Sequence, residues 1–218
     1  MRNLHRLVLV AALSLPGASP ACMNGSDGDW ESAAVAEAEK FLDEGSYAKA
    51  VGVLLNVPVI KNGSGGEPPK FRFEDPDLDA RALRVAAAAV VRSSGTISRG
   101  AFSRLSANGH VRSGERDDQI AWAKEIFTGD YKVKLDDPSV SSLYAEALAA
   151  EGSPVEARTI LEDLAQRDLI ADSYSWATLA ALRNRAGDTA GRDAALAKCR
   201  ASAKRLQSGS VCTGVGMR

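Results

Sequence analysis

Chemistry in this sequence would have to be done with very few bases. The chain has 2 histidines in 218 residues, His5 and His110. A site built on several imidazoles is therefore impossible, and a zinc site mixing Cys and His is starved of ligands. A Ser–His–acid triad would depend on His110, and no Gly-x-Ser-x-Gly elbow accompanies it. No glycine loop leads into the Lys-Ser/Thr pair that cradles phosphate, and Gly63-Ser64-Gly65-Gly66 reads as flexible linker. The adjacent carboxylates Asp117-Asp118 and Asp136-Asp137 stand at helix starts, where they favour the helix dipole. These residues point to no reaction, so the expectation is a protein that is not an enzyme and takes no metal or cofactor.

The cysteines carry more information. There are three, Cys22, Cys199 and Cys212, and an odd count leaves one thiol to explain in an oxidising compartment. Cys22 follows a charged start (Arg2, His5, Arg6), the apolar run Leu7–Leu15, and Pro16-Gly17-Ala18-Ser19-Pro20-Ala21. That run is about 14 Å long as a helix, too short for a bilayer core, and the layout is that of a signal peptide over residues 1–21. Ser19-Pro20-Ala21-Cys22 resembles the lipobox of bacterial lipoproteins, with the small Ala21 before the Cys, although Ser19 stands where the family usually has Leu. The resemblance implies that Cys22 is acylated and that residues 22–29 tether the domain to a membrane. Ordinary cleavage after Ala21, releasing a soluble periplasmic protein, is the alternative. With Cys22 lipidated, Cys199 and Cys212 form an even pair, and a bridge between them would contribute about 3 kcal/mol by loop closure. Two unpaired thiols are the other reading.

Loss of Arg2 and Arg6 with the leader takes the net charge from −1 to −3. A wholesale nucleic-acid binder would be basic, so nucleic acid is not expected as a partner. One local exception exists: between Ala80 and Gly114 lie Arg81, Arg84, Arg92, Arg99, Arg104 and Arg112, with no acid among them. They form either a face for an anionic partner or solvated arginines balanced by acids on neighbouring helices, and the second reading is favoured.

The elements that position these residues are helices. Apolar residues recur at helical spacing from Trp30 to Glu44 and from Ser46 towards Pro58. Asp75-Pro76 and Asp137-Pro138 read as N-caps followed by proline at the first helical position. Further helices are expected over 78–92, 98–107, 115–128, 138–152, 154–164, 172–186 and 189–206, with Gly129 closing the one over 115–128. No stretch alternates long enough for a sheet. About nine helices joined mostly by short turns give an all-α fold of antiparallel hairpins.

A turn recurs among them. Phe41-Leu42-Asp43-Glu44-Gly45-Ser46-Tyr47-Ala48-Lys49-Ala50 is matched by Leu148 to Ala157 around Gly152, with the small Ala five residues after the glycine and Leu54 or Leu161 four further on. Leu182 to Asp188, around Gly187, is a third copy, with Trp176 and Leu179 before it and Arg192 in place of the Ala. This layout resembles the tetratricopeptide repeat, whose period is about 34 residues. The resemblance covers about 30–64 and 138–206 and implies a short α-solenoid within 30–206. The segment 61–137 is expected to be irregular, and 207–218 a tail. It also implies a groove lined by the first helix of each repeat, here Val35, Glu39, Leu42, Ser142 and Glu146, that holds peptides or helices. The Lys/Asn carboxylate clamp of chaperone-binding relatives is not evident there. The expected function is a scaffold or assembly factor for other envelope proteins, anchored by lipid and facing the periplasm. The alternative is a soluble periplasmic enzyme or ligand-binding helical protein whose site no motif reveals.

Overall fold

A computed structural model describes residues 28–56, 73, 75–93, 95, 97–105, 115–133, 137–203 and 210–213. The leader, Cys22, the loop 61–69, His110 and Arg112 lie outside them. Among the described residues the chain is all-helical: α1 (Gly28–Asp43), α2 (Tyr47–Leu55), α3 (Pro76–Arg92), α4 (Arg99–Leu105), α5 (Arg116–Val133), α6 (Pro138–Glu151), α7 (Pro154–Gln166), α8 (Ser173–Arg185), α9 (Thr189–Ser202) and α10 (Ser210–Thr213).

The recurring glycines end their helices in one way. Gly45, Gly152 and Gly187 have φ of +73°, +101° and +78°, left-handed values that a side chain would resist. In each case the next residue's N–H reaches back five residues to a carbonyl. Ser46 donates to Phe41 at 2.8 Å, Ser153 to Leu148 at 2.9 Å and Asp188 to Arg183 at 3.0 Å. This six-to-one bond satisfies a carbonyl that the helix end would otherwise leave bare. Leu169 closes α7 onto Leu164 in the same way at 2.9 Å, with Asp168 at φ +54° in the glycine's place. Aspartate is among the few residues that visit this region. Helix starts are set by Asp75, Asp137, Asp172 and Asp188, whose carboxylates accept from Asp77, Ser139, Tyr174 and Gly191 N–H groups at 2.8–2.9 Å.

These helices pair as four hairpins, α1/α2, α3/α5, α6/α7 and α8/α9. Each hairpin receives the first helix of the next: α3 packs on α1 and α2, α6 on α3 and α5, and α8 on α6 and α7. The fold is thus a stack of helical hairpins. Its core forms two clusters, one built mainly on α1–α5 and one on α6–α10, and Tyr144 of α6 packs against both. The alanines that follow the turn glycines, Ala50 and Ala157, are fully buried, as are Leu54 and Leu161.

The middle holds the helices expected within it as α3, α4 and α5, and α3 and α5 form the second hairpin of the stack, with α4 lying between them in sequence and packing on α2. One expectation fails. Gly129 does not stop α5, which runs on to Val133. A glycine ends a helix when the chain must turn left-handed there, and Gly129 shows no positive φ.

Candidate functional site

The densest set of charged groups sits where three of the stacked helices meet. Arg92, at the end of α3, donates from Nε and Nη2 to both oxygens of Glu146 on α6 at 2.8 Å. Its Nη2 also reaches Asp172, the cap of α8, at 3.2 Å. The guanidinium lies 4.4 Å from the centre of the Tyr174 ring, which meets Tyr47 edge-on at 6.1 Å. Ser175 Oγ stands 2.7 Å from Glu146 Oε1 and 2.6 Å from Asp172 Oδ2. The side chains of Arg92 and Glu146 are only 8% and 3% exposed.

Burial works against the charge of Arg92, but Glu146, Asp172 and Asp43 outweigh it and raise its pKa further. For Glu146 burial is the largest influence and pushes the carboxyl up, against the pull of Arg92. The guanidinium therefore stays charged, facing a carboxyl group that holds a proton more readily than a free glutamate. With both oxygens of Glu146 engaged by Arg92 and one also by Ser175, this geometry clamps three helices together. A neighbouring contact closes the joint: Arg116, opening α5, donates to the Val90 and Val91 carbonyls at the end of α3 at 2.6 and 2.8 Å.

An opening lined by described residues lies elsewhere. A groove of about 610 Å³ runs along α7 and is floored by the end of α8. Val155, 79% exposed, and Leu182 supply apolar surface, with Arg158, Glu162 and Arg185 around them. Glu162 accepts from Arg183 Nε at 2.9 Å, and this bond, opposed by partial burial, holds its carboxyl below the usual range. Arg183 also donates to the Gly191 carbonyl at 2.9 Å, so one side chain ties α7, α8 and α9.

The residues singled out in the sequence divide sharply. Cys199 and Cys212 are joined by a disulfide, S–S 2.03 Å, and both are buried. Among the described side chains the arginines of the proposed face do not share one surface. Arg92 is enclosed in the cluster, because the end of α3 points into the stack. Arg81 pairs with Glu39 of α1, its Nε 2.5 Å from the carboxylate. Arg84 is half-buried, Arg99 is exposed on α4, and Arg104 lies in the backbone of α4. The five residues expected to line a groove along the first helices do not share an open surface either. Val35, Ser142 and Glu146 are buried, Leu42 is half-buried and Glu39 is taken by Arg81. Val35, Ser142 and Glu146 face the neighbouring helices of the stack instead. The Arg92 cluster was missed because its partners are 54 and 80 residues away. The one available signal was Glu146, an acid amid the apolar positions of α6.

Among the described residues no group of three or more His, Cys, Asp or Glu could hold a metal ion, and no helix is long and apolar enough to cross a membrane. No protein-family model, curated protein or solved structure matches the chain.

Proposed function

We propose that this chain is a non-catalytic scaffold built of tetratricopeptide-like hairpins and carried on a bacterial envelope by a lipid on Cys22, facing the periplasm. The observation that carries the reading is the repetition of one glycine turn, with one closing hydrogen bond, at 45, 152 and 187 within hairpins that stack in order. Short stacked hairpins cover each other's apolar faces and leave long edges for other proteins to dock on. The α7 groove, with exposed Val155 set among arginines and acids, is the docking edge in this reading. The carboxyl raised by burial, Glu146, does not line that groove, which favours a scaffold over a catalytic or small-ligand site.

Two measurements test this. A photo-crosslinking residue placed at Val155 in living cells should yield a discrete adduct that the same residue at exposed Ala197 does not. Equal labelling from both positions, or none, sinks the scaffold reading. Intact-mass analysis of the processed protein should show two or three acyl chains that Cys22→Ala abolishes. A mature chain beginning at an unmodified Cys22 ends the lipid claim.

A further inference from the structure

The last hairpin has a problem that the other three solve by continuing. Each earlier hairpin is covered by the first helix of the next, which packs on both of its helices. No further hairpin follows α8/α9 among the described residues. Instead α10 packs on α8 and on α9, in the relation that α3 bears to α1 and α2. It is only 4 residues long, a single turn that has no stability of its own in water. The disulfide from Cys212 to Cys199 supplies the tie, with Val211 packed against the second core cluster beside it.

We propose that the disulfide-held turn 210–213 is a terminal cap, occupying the seat of a fifth hairpin's first helix and closing the α8/α9 end to a second copy of this chain. The element of that copy suited to the seat is α1. Within the described residues it is the one first helix with no hairpin packed before it. It exposes Ala33 and Ala36, and Trp30 is 36% exposed at its start. First helices seated inside the stack bury alanines, as α3 does with Ala86–Ala89 and α8 with Ala177 and Ala180. A head-to-tail contact of this kind does not close on itself, so an uncapped end would build open chains of molecules. A covalently fixed cap prevents that. This inference rests on the stacking geometry and is independent of the lipid anchor.

The test uses the full chain carrying Cys22→Ala, which removes the third thiol. With the 199–212 bridge intact, light scattering should give a monomer across a wide concentration range. Cys199→Ser with Cys212→Ser should at least double the mass as concentration rises, with slower amide exchange appearing in α1. Adding Ala36→Glu, at an exposed position, should return the monomer. A helical double variant that stays monomeric overturns the proposal, as does association that Ala36→Glu leaves untouched or that the bridged protein already shows. Should the double variant lose its helicity, the bridged protein reduced with a phosphine takes its place. If that also unfolds, the bond holds the fold and not the end, and the proposal falls.

Discussion

Replacing Arg92 with Met tests the reasoning about the buried cluster most directly. Methionine approximates the length of the side chain but removes the cation that Glu146 and Asp172 share. Removing one member of a buried ion pair leaves an uncompensated charge and costs about 3–5 kcal/mol. Little solvent reaches the site to soften this, since the two side chains are 8% and 3% exposed. For a domain of this size each kcal/mol shifts the midpoint by roughly 2–4 °C, so Arg92→Met should melt about 6–20 °C below the parent. Circular dichroism melts and urea titrations at several pH values provide the assay. Glu146 already binds its proton more tightly in the folded than in the unfolded chain. Its contribution is therefore fully present below the unfolded pKa and is lost as pH rises through the folded one. Without Arg92 that folded value climbs further, so the deficit of the variant should be larger at pH 8 than at pH 5. Adding Glu146→Leu should recover most of the loss, because a buried pair exchanged whole for apolar groups is close to neutral. A single variant within about 1 kcal/mol of the parent at pH 8, or a double variant no better than the single, would refute the clamp.

The turn glycines give a second, internally controlled test. Gly152→Ala and Gly187→Ala meet no atom within 4 Å, so their cost is conformational alone, about 1–2 kcal/mol each by urea denaturation. Gly129→Ala, inside α5 and equally uncrowded, should stabilise by about 0.5–1 kcal/mol, and a loss there would contradict the helix as described. Asp137→Ala should cost about 1 kcal/mol as a lost N-cap. Asp172→Ala loses a cap and a partner of Arg92, but its side chain is 38% exposed, so solvent screening should keep the excess over Asp137→Ala within about 1 kcal/mol.

What the sequence made legible was local. The glycine turns could be read because one residue must adopt a left-handed conformation, and the aspartate caps because the carboxylate reaches N–H groups two or three residues away. The α3/α5 hairpin was not legible, since α4 and its flanking segments separate the two helices and carry the second one off the repeat register. Gly129 misled for the converse reason: composition marks where a turn is affordable, while packing decides whether one is made. The arginines between Ala80 and Gly114 looked like one feature because they are neighbours in sequence. Arg81, in the second turn of α3, nevertheless pairs at the surface with α1, while Arg92, at its last residue, pairs inside with α6 and α8. The disulfide was reached by counting.

One feature of α3 sets a limit on how this protein can change. From Val85 to Val90 every side chain is buried, and four of the six are alanines at 1% exposure or less. Helices α1, α2, α5 and α6 all pack on α3. An alanine has no rotamer to turn and no methylene to surrender, so a larger residue there can be admitted only by pushing whole helices apart. Glycine, the one smaller choice, would loosen the helix itself. The segment works as a gauge block that sets the spacing of the hairpins around it. Variation that lengthens loops or recharges the outer faces leaves that spacing alone, while a single added methyl group at Ala86–Ala89 alters it for half the molecule.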